Sequence, residues 1–507
     1  MNQFDDGLGK GKPGKAPAPM DAGIPVGRNG ANTFGNDGAA YQYPEAEINY
    51  DQLDGAPVDG TPLYPDAVMH NPKLSRFRIH GCKDLWAAVL FGILVLFSII
   101  WSIVQLATYT YEPGKGVSPA FDNGSSVRVA WVAGVCAVAV GGSLVTSFAL
   151  LVVAQRMPVQ MIYIANILTI LMFIISAIMA FVRIDIVVGI LMLVCAAFQA
   201  LWLFLVRDRI PLAATLLCTA AKLISKYKSN FVLNIGLCVV MFGYIVLWGF
   251  GVAAPIDRLN RRKGNGGHGF AIGLLVFVLL WVCQVVPNVM HVTASGLIAT
   301  WYYAGSNNMP PHPTIASFKR ATTTSFGSIC FGSLIVAIIQ FLRWLLESSR
   351  DNENGFVRCC VDCMLRCIEN IVQYFNRYAF VHVAIYGCGY IEGAKRTFEL
   401  CQQCFFAAYF NDCLVVPTLN MFTFAIAILF GIIAGVASSS WPVGVLVFFM
   451  SALVHQLVFT GVDSAVTTIF VCFAENPEAL RESDPELYAA IHAADANGTN
   501  NNASPPV

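Results

Sequence analysis

Charge is what this sequence has least of. Only 12% of its 507 residues are Asp, Glu, Lys or Arg, about half the ~25% of an ordinary soluble domain. Lys plus Arg and Asp plus Glu are equal at 31 each, so the chain carries no net charge. Such a chain has no global field to gather nucleic acid. No apolar run precedes Leu85, so no cleavable signal peptide is expected. The signatures of common enzymes are also missing: no HExxH, Walker loop, GxSxG or acidic CDP-alcohol-transferase pattern occurs in the apolar segments. What the chain does have is apolar surface. Hydrophobic residues make up 56% and the mean hydropathy is +0.62, too much for a water-soluble enzyme to hide. The fold class that follows is an all-α polytopic membrane protein.

Three regions are expected: a disordered cytoplasmic tail over 1–80, a transmembrane domain over 81–475 and a cytoplasmic C-terminal tail over 476–507. The tail is rich in Gly, Pro, Asn and Asp and shows no apolar period, so it buries too little to offset its ordering entropy. About ten transmembrane helices follow, against the ~20 apolar residues that a span requires. Clear spans are 85–108, 129–154, 159–181, 186–206, 231–254, 414–437 and 443–473; 324–344 is acceptable. The stretch 270–305 is long enough that it must tilt, protrude or break. Arg358, Arg366, Glu369 and Arg377 interrupt 356–386, which is counted because an even number puts both termini inside.

Lys73, Arg76, Arg78 and Lys83 crowd the first span and place the N-terminus in the cytoplasm. The basic loop 255–269, with Arg258, Arg261, Arg262 and Lys263, falls outside and breaks the same rule. Asn123 heads a sequon in the first outside loop and is the glycosylation candidate. Residues 211–230 pattern as an amphipathic helix, either at an anionic lipid interface or as an ordinary helical connection.

The segment 281–303 concentrates the chemistry. Trp281, Gln284, Asn288, His291 and Ser295 recur at intervals of three and four, which gives one helix a polar face headed by an aromatic. Polar groups at bilayer depth are costly unless they face partners or water. Pro287 removes a backbone donor and obstructs the carbonyl of Cys283. A helix break there would build a substrate site of the kind discontinuous helices form in transporters. A kinked helix whose polar face bonds to neighbouring helices is the other reading. Tyr244 and Trp248 lie four apart on a second helix and could hold an ammonium group by cation–π attraction, whereas Trp301, Tyr302 and Tyr303 pattern as an interfacial belt. Asp463 is the acidic residue deepest in a strong apolar run, a countercharge unless Ser464, Thr467 or a basic residue on another helix satisfies it. The cysteine cluster 359–367 puts positions 359, 363 and 367 on one helix face, which suits acylation or packing better than a tetrahedral zinc site; no metal or cofactor is expected.

Four blocks carry a resemblance: 291–302 (HVTASGLIATWY), 376–387 (NRYAFVHVAIYG), 394–399 (AKRTFE) and 462–473 (VDSAVTTIFVCF). In order and spacing the second half resembles the choline transporter-like family, specifically its fungal plasma-membrane branch; before residue 230 only the layout is similar. The resemblance implies about ten helices, both termini cytoplasmic, and facilitated movement of choline or related amines across the plasma membrane. Two features depart from it. The first outside loop is only about 20 residues by hydropathy, where animal members carry a long glycosylated one. Animal members also place an acidic residue shortly after the equivalent of Trp281, where this chain has Gln284. A cationic substrate would then lose a countercharge.

The expectation is therefore a transporter of a small organic solute, with Trp281, Gln284, Asn288, His291, Tyr244, Trp248 and Asp463 as binding residues. A non-transporting membrane scaffold and a membrane-embedded lipid enzyme are the alternatives. Membrane lipids are expected partners and nucleic acid is not; the solute, coupling ion and oligomeric state stay open.

Overall fold

A computed structural model describes residues 61–65, 71–79, 81–108, 125–183, 186–260, 266–348 and 355–500. The described residues are overwhelmingly helical. In order the helices are α1 (Leu85–Thr108), α2 (Ser125–Arg156), α3 (Pro158–Arg183), α4 (Ile186–Val206), α5 (Ile210–Lys226), α6 (Lys228–Asn260) and α7 (Gly266–Ala304). They continue as α8 (Pro313–Thr322), α9 (Phe326–Ser348), α10 (Gly355–Tyr386), α11 (Tyr390–Ser438), α12 (Trp441–Glu475), α13 (Pro477–Ser483) and α14 (Pro485–Asn500). Among the described residues, nine helical stretches are long and apolar enough to cross a membrane. Helix α10 is not one of them. It has the length, 32 residues or about 48 Å, but not the composition.

Asp362 and Glu369 of α10 are paired with a cation of the neighbouring helix. Arg343 on α9 reaches Asp362 at 3.0 Å and Glu369 at 2.6 Å. Gln340 and Gln373 donate to the other oxygen of Glu369 at 2.7 and 3.1 Å.

Helix α7 is the hub of the bundle, packed against α6, α8, α9, α10 and α12. At 39 residues it is about 58 Å long and outruns a ~30 Å hydrocarbon core. The break expected at Pro287 is absent: α7 is helical from Gly266 to Ala304 with Pro287 inside it. The missing amide costs one hydrogen bond, and packing on five neighbouring helices outweighs it.

The protruding end of α7 is covered. Residues 71–79 lie over it, with Leu74 and Phe77 completely buried and the guanidinium of Arg76 4.9 Å from the Tyr303 ring. A two-residue antiparallel ladder, β1 (Thr61–Pro62) with β2 (Arg78–Ile79), closes this strap on itself. The C-terminal helices cover the other side: the Tyr302 hydroxyl donates to the Asn476 carbonyl at 2.9 Å, and Ser483 donates to the Tyr302 carbonyl at 2.5 Å. Trp301, Tyr302 and Tyr303 are therefore core residues, not an interfacial belt. Both expected tails thus have packed portions next to the bundle, because apolar anchors such as Phe77, Leu480 and Leu487 sit at their inner ends. Residues 1–60 lie outside the described residues.

Helix α5 fills the amphipathic stretch. Its apolar side, including Leu216, Leu217, Leu223 and Ile224, is buried in the protein core against α2, α3 and α12. That face is spent on packing and is not free for lipid.

Candidate functional site

The polar face of α7 meets α9, α10 and α12 at one junction. Asn288 Nδ2 donates to Ser333 Oγ on α9 at 2.9 Å. One turn on, His291 Nε2 lies 2.8 Å from the backbone carbonyl of Arg377 on α10. A carbonyl can only accept, so Nε2 carries the proton. His291 Nδ1 lies 2.6 Å from Ser464 Oγ on α12, and that hydroxyl is also 2.5 Å from the Thr460 carbonyl. One hydroxyl hydrogen therefore has two acceptors within reach.

Next to Ser464, Asp463 Oδ1 is 3.4 Å from Arg377 Nη1. This is an ion pair without a hydrogen bond at that oxygen. The side chains of Arg377 and Asp463 keep 23% and 21% of their surface accessible, although Tyr378 and Ser464 beside them are buried. Gln284 and Pro287 on α7 are also partly accessible, and Gln456, on the Asp463 face of α12, is exposed. Partly accessible polar side chains thus lie on the helices that flank the Arg377–Asp463 pair joining α10 to α12.

The structure brings Asn288, His291 and Asp463 together, with Gln284 one turn away on the same face of α7. The other candidates sit elsewhere. Trp281 is fully buried, its indole donating to the Cys330 carbonyl at 3.0 Å and its ring against Phe91 and Phe277. Tyr244 bonds to Ser98 at 3.1 Å and Trp248 donates to the Leu275 carbonyl at 2.8 Å, so both tie α6 to its neighbours. Asn123 lies outside the described residues. Arg377 is the residue that sequence reasoning did not promote to the site. Its signal was visible as one of the charges that interrupt 356–386, and it is the basic partner on another helix that would satisfy Asp463. Among the described residues no group of three His, Cys, Asp or Glu side chains could hold a metal ion.

Comparison with known proteins covers this whole junction. A family model described as plasma-membrane choline transporter matches residues 190–478. A CTL-like protein of Dictyostelium discoideum is 32% identical over 432 residues, 83% of this chain and 76% of that protein. Protein PNS1 of Gibberella zeae is 31% identical over 449 residues, 82% of each chain. The PNS1 protein of Candida albicans is 31% identical over 382 residues, 69% of this chain and 74% of its own length. The matched region holds every helix that builds the junction, and the chain belongs to the choline transporter-like family.

Proposed function

We propose that this protein moves a small organic solute of the choline-like amine class across the plasma membrane, by facilitated or ion-coupled alternating access, with both termini cytoplasmic. The observation that carries this reading is the partly accessible Arg377–Asp463 pair where α7, α10 and α12 meet, with Asp463 Oδ1 itself buried. Ionisable groups at such depth are costly, and those that stay accessible mark a solute or ion path. In this reading Gln284, Asn288, His291 and Asp463 line the path, while Trp281, Tyr244 and Trp248 hold the helices that form it. Because α7 is unbroken, access alternates by one group of helices rocking against another rather than by a hinge at Pro287.

Uptake of labelled choline and ethanolamine derivatives by proteoliposomes holding the full chain tests it. Saturable uptake is expected, with Gln284→Ala and Asp463→Asn each lowering it about tenfold or more. If no solute is taken up, the transport reading falls. Lipid product without flux would point to an enzyme instead.

A further inference from the structure

We infer that a small monovalent inorganic anion of the chloride class binds beside Arg320, under the strap, and ties residues 61–79 to α7 and α8. The site shares no residue with the Arg377–Asp463 junction and does not depend on the transport reading. Arg320 lies in the last turn of α8, outside the stretches apolar enough to cross a membrane, and only 2% of it is exposed. Among the described residues none of its Nε, Nη1 and Nη2 atoms has a hydrogen-bond partner. The groups that act on its charge are Tyr64 and Cys388, neither of them a carboxylate, and the ring of Phe77, 6.0 Å away. Burial pushes its pKa down only to about 10, so the guanidinium stays charged at neutral pH. A buried cation persists where something neutralises it and fills its donors.

Further donors stand around the same place. Ser317, three residues before Arg320, is buried, and among the described residues its Oγ has no hydrogen-bond partner either. Ser317 Oγ and Arg320 Nη2 converge on Gly296 of α7, where a Cβ would stand 2.8 Å from the first and 3.5 Å from the second. Ser295 precedes Gly296, and the Ser325 amide donates to the Arg320 carbonyl at 3.0 Å; both side chains also carry buried hydroxyls without a partner among the described residues. Guanidinium and hydroxyl groups can all donate, so a group that only accepts satisfies them together. Water fills donors but leaves the charge in place. Sulfate and phosphate are bulkier and bring a second charge. A halide carries one charge, accepts from several donors at once and suits so enclosed a place. The strap closes over it, with Phe77 completely buried and the Tyr64 hydroxyl 3.5 Å from Thr300 Oγ1, one turn beyond Gly296.

The test is thermal unfolding of the detergent-purified full chain while chloride replaces gluconate at constant ionic strength, with bromide in parallel. A saturable rise in melting temperature of several degrees is expected with either halide. Arg320→Gln should abolish that response, and Ser317→Ala should shift it to about tenfold higher halide. Ser317→Ala separates a ligand site from plain packing, because removing an orphaned hydroxyl from an ordinary core weakens no anion response. Should Arg320→Gln fail to fold, Ser317→Ala decides, together with Gly296→Ala, whose Cβ would crowd both donors and shift the curve the same way. The proposal is overturned if halide leaves the melting temperature of the unaltered chain unchanged, or if the variants respond to halide as that chain does. The carboxylate of Asp66, outside the described residues, is the rival occupant. If Asp66→Asn destabilises the chain as Arg320→Gln does and halide has no effect, the chain neutralises its own guanidinium and no anion site exists.

Discussion

At the scale of single residues, charged side chains are informative because so few are present, and several are held by a specific geometry. Asp84 shows this outside the site. Its carboxylate accepts from Ser328 Oγ at 2.7 Å and from the backbone amide of Tyr390 at 2.9 Å. One side chain thereby ties the entry of α1 to the starts of α9 and α11. It does so from a left-handed backbone, φ 50°, a conformation that Asn also tolerates. Gly327 lets the chain pass this close, since a Cβ there would stand 2.2 Å from the Lys83 carbonyl oxygen. Asp84→Ala should therefore destabilise the protein by about 1–3 kcal/mol, the cost of losing a helix cap and orphaning its donors. Asp84→Asn should recover part of that, read as thermal unfolding of the detergent-purified chain. Equal losses for the two variants would mean that the hydrogen bonds do not matter. Nothing in the local sequence announced this role, because both partners are more than 240 residues away.

At the scale of elements, the strap over 61–79 is the part of the molecule that sequence reading treated least well. Gly- and Pro-rich composition spoke for disorder up to residue 80, and the few apolar residues at its inner end were too sparse to show a period. Their partners are tertiary: Phe77 packs edge-on to Tyr64 and Tyr303 with centroids 6.2 Å away in each case. It also lies 6.0 Å from the guanidinium of Arg320, whose pKa burial pushes down to about 10. Removing the ring therefore uncovers both the core and a buried cation. Phe77→Ala should cost about 3–5 kcal/mol and expose the chain near residue 80 to protease. Deleting residues 1–60 should leave the melting temperature unchanged, while deletion through 79 should lower it by several degrees. Elements with a strong period behaved differently. The apolar runs gave the helices directly, and hydropathy foresaw that 270–305 was too long to fit simply. Whether Pro287 would break that helix was not legible, because the answer lies in how many neighbours grip it.

At the scale of the whole molecule, sidedness and helix count constrain each other. Lys73 Nζ of the strap lies 2.6 Å from Glu482 Oε2 near the C-terminal end, so both ends of the described chain meet at one face of the bundle. A chain that starts and finishes on one side crosses an even number of times, and the nine stretches that qualify on composition are odd in number. On the proposed topology α10 is the tenth crossing, with its Asp362 and Glu369 paired to Arg343. That places the exposed Cys82 at the strap face and the exposed Cys360, Cys363 and Cys367 at the opposite one. Cys363 is 23 residues before the end of α10 at Tyr386, about 35 Å along a helix, and Tyr386 itself bonds to Glu475 at the strap face. On the proposed cytoplasmic placement of the termini, that face, with Lys73, Arg76 and Lys83, lies inside the cell. In single-cysteine variants on intact cells, a membrane-impermeant maleimide should label positions 360, 363 and 367 and leave position 82 untouched until the cells are opened. Cys388 should stay silent in both conditions, since it is buried between α10 and α11 and that burial pushes its thiol up to about 12, far from the thiolate that a maleimide needs. Labelling of positions 82 and 363 from the same side would remove α10 as a crossing, and with it the membrane depth of the Arg377–Asp463 pair on which the solute path depends.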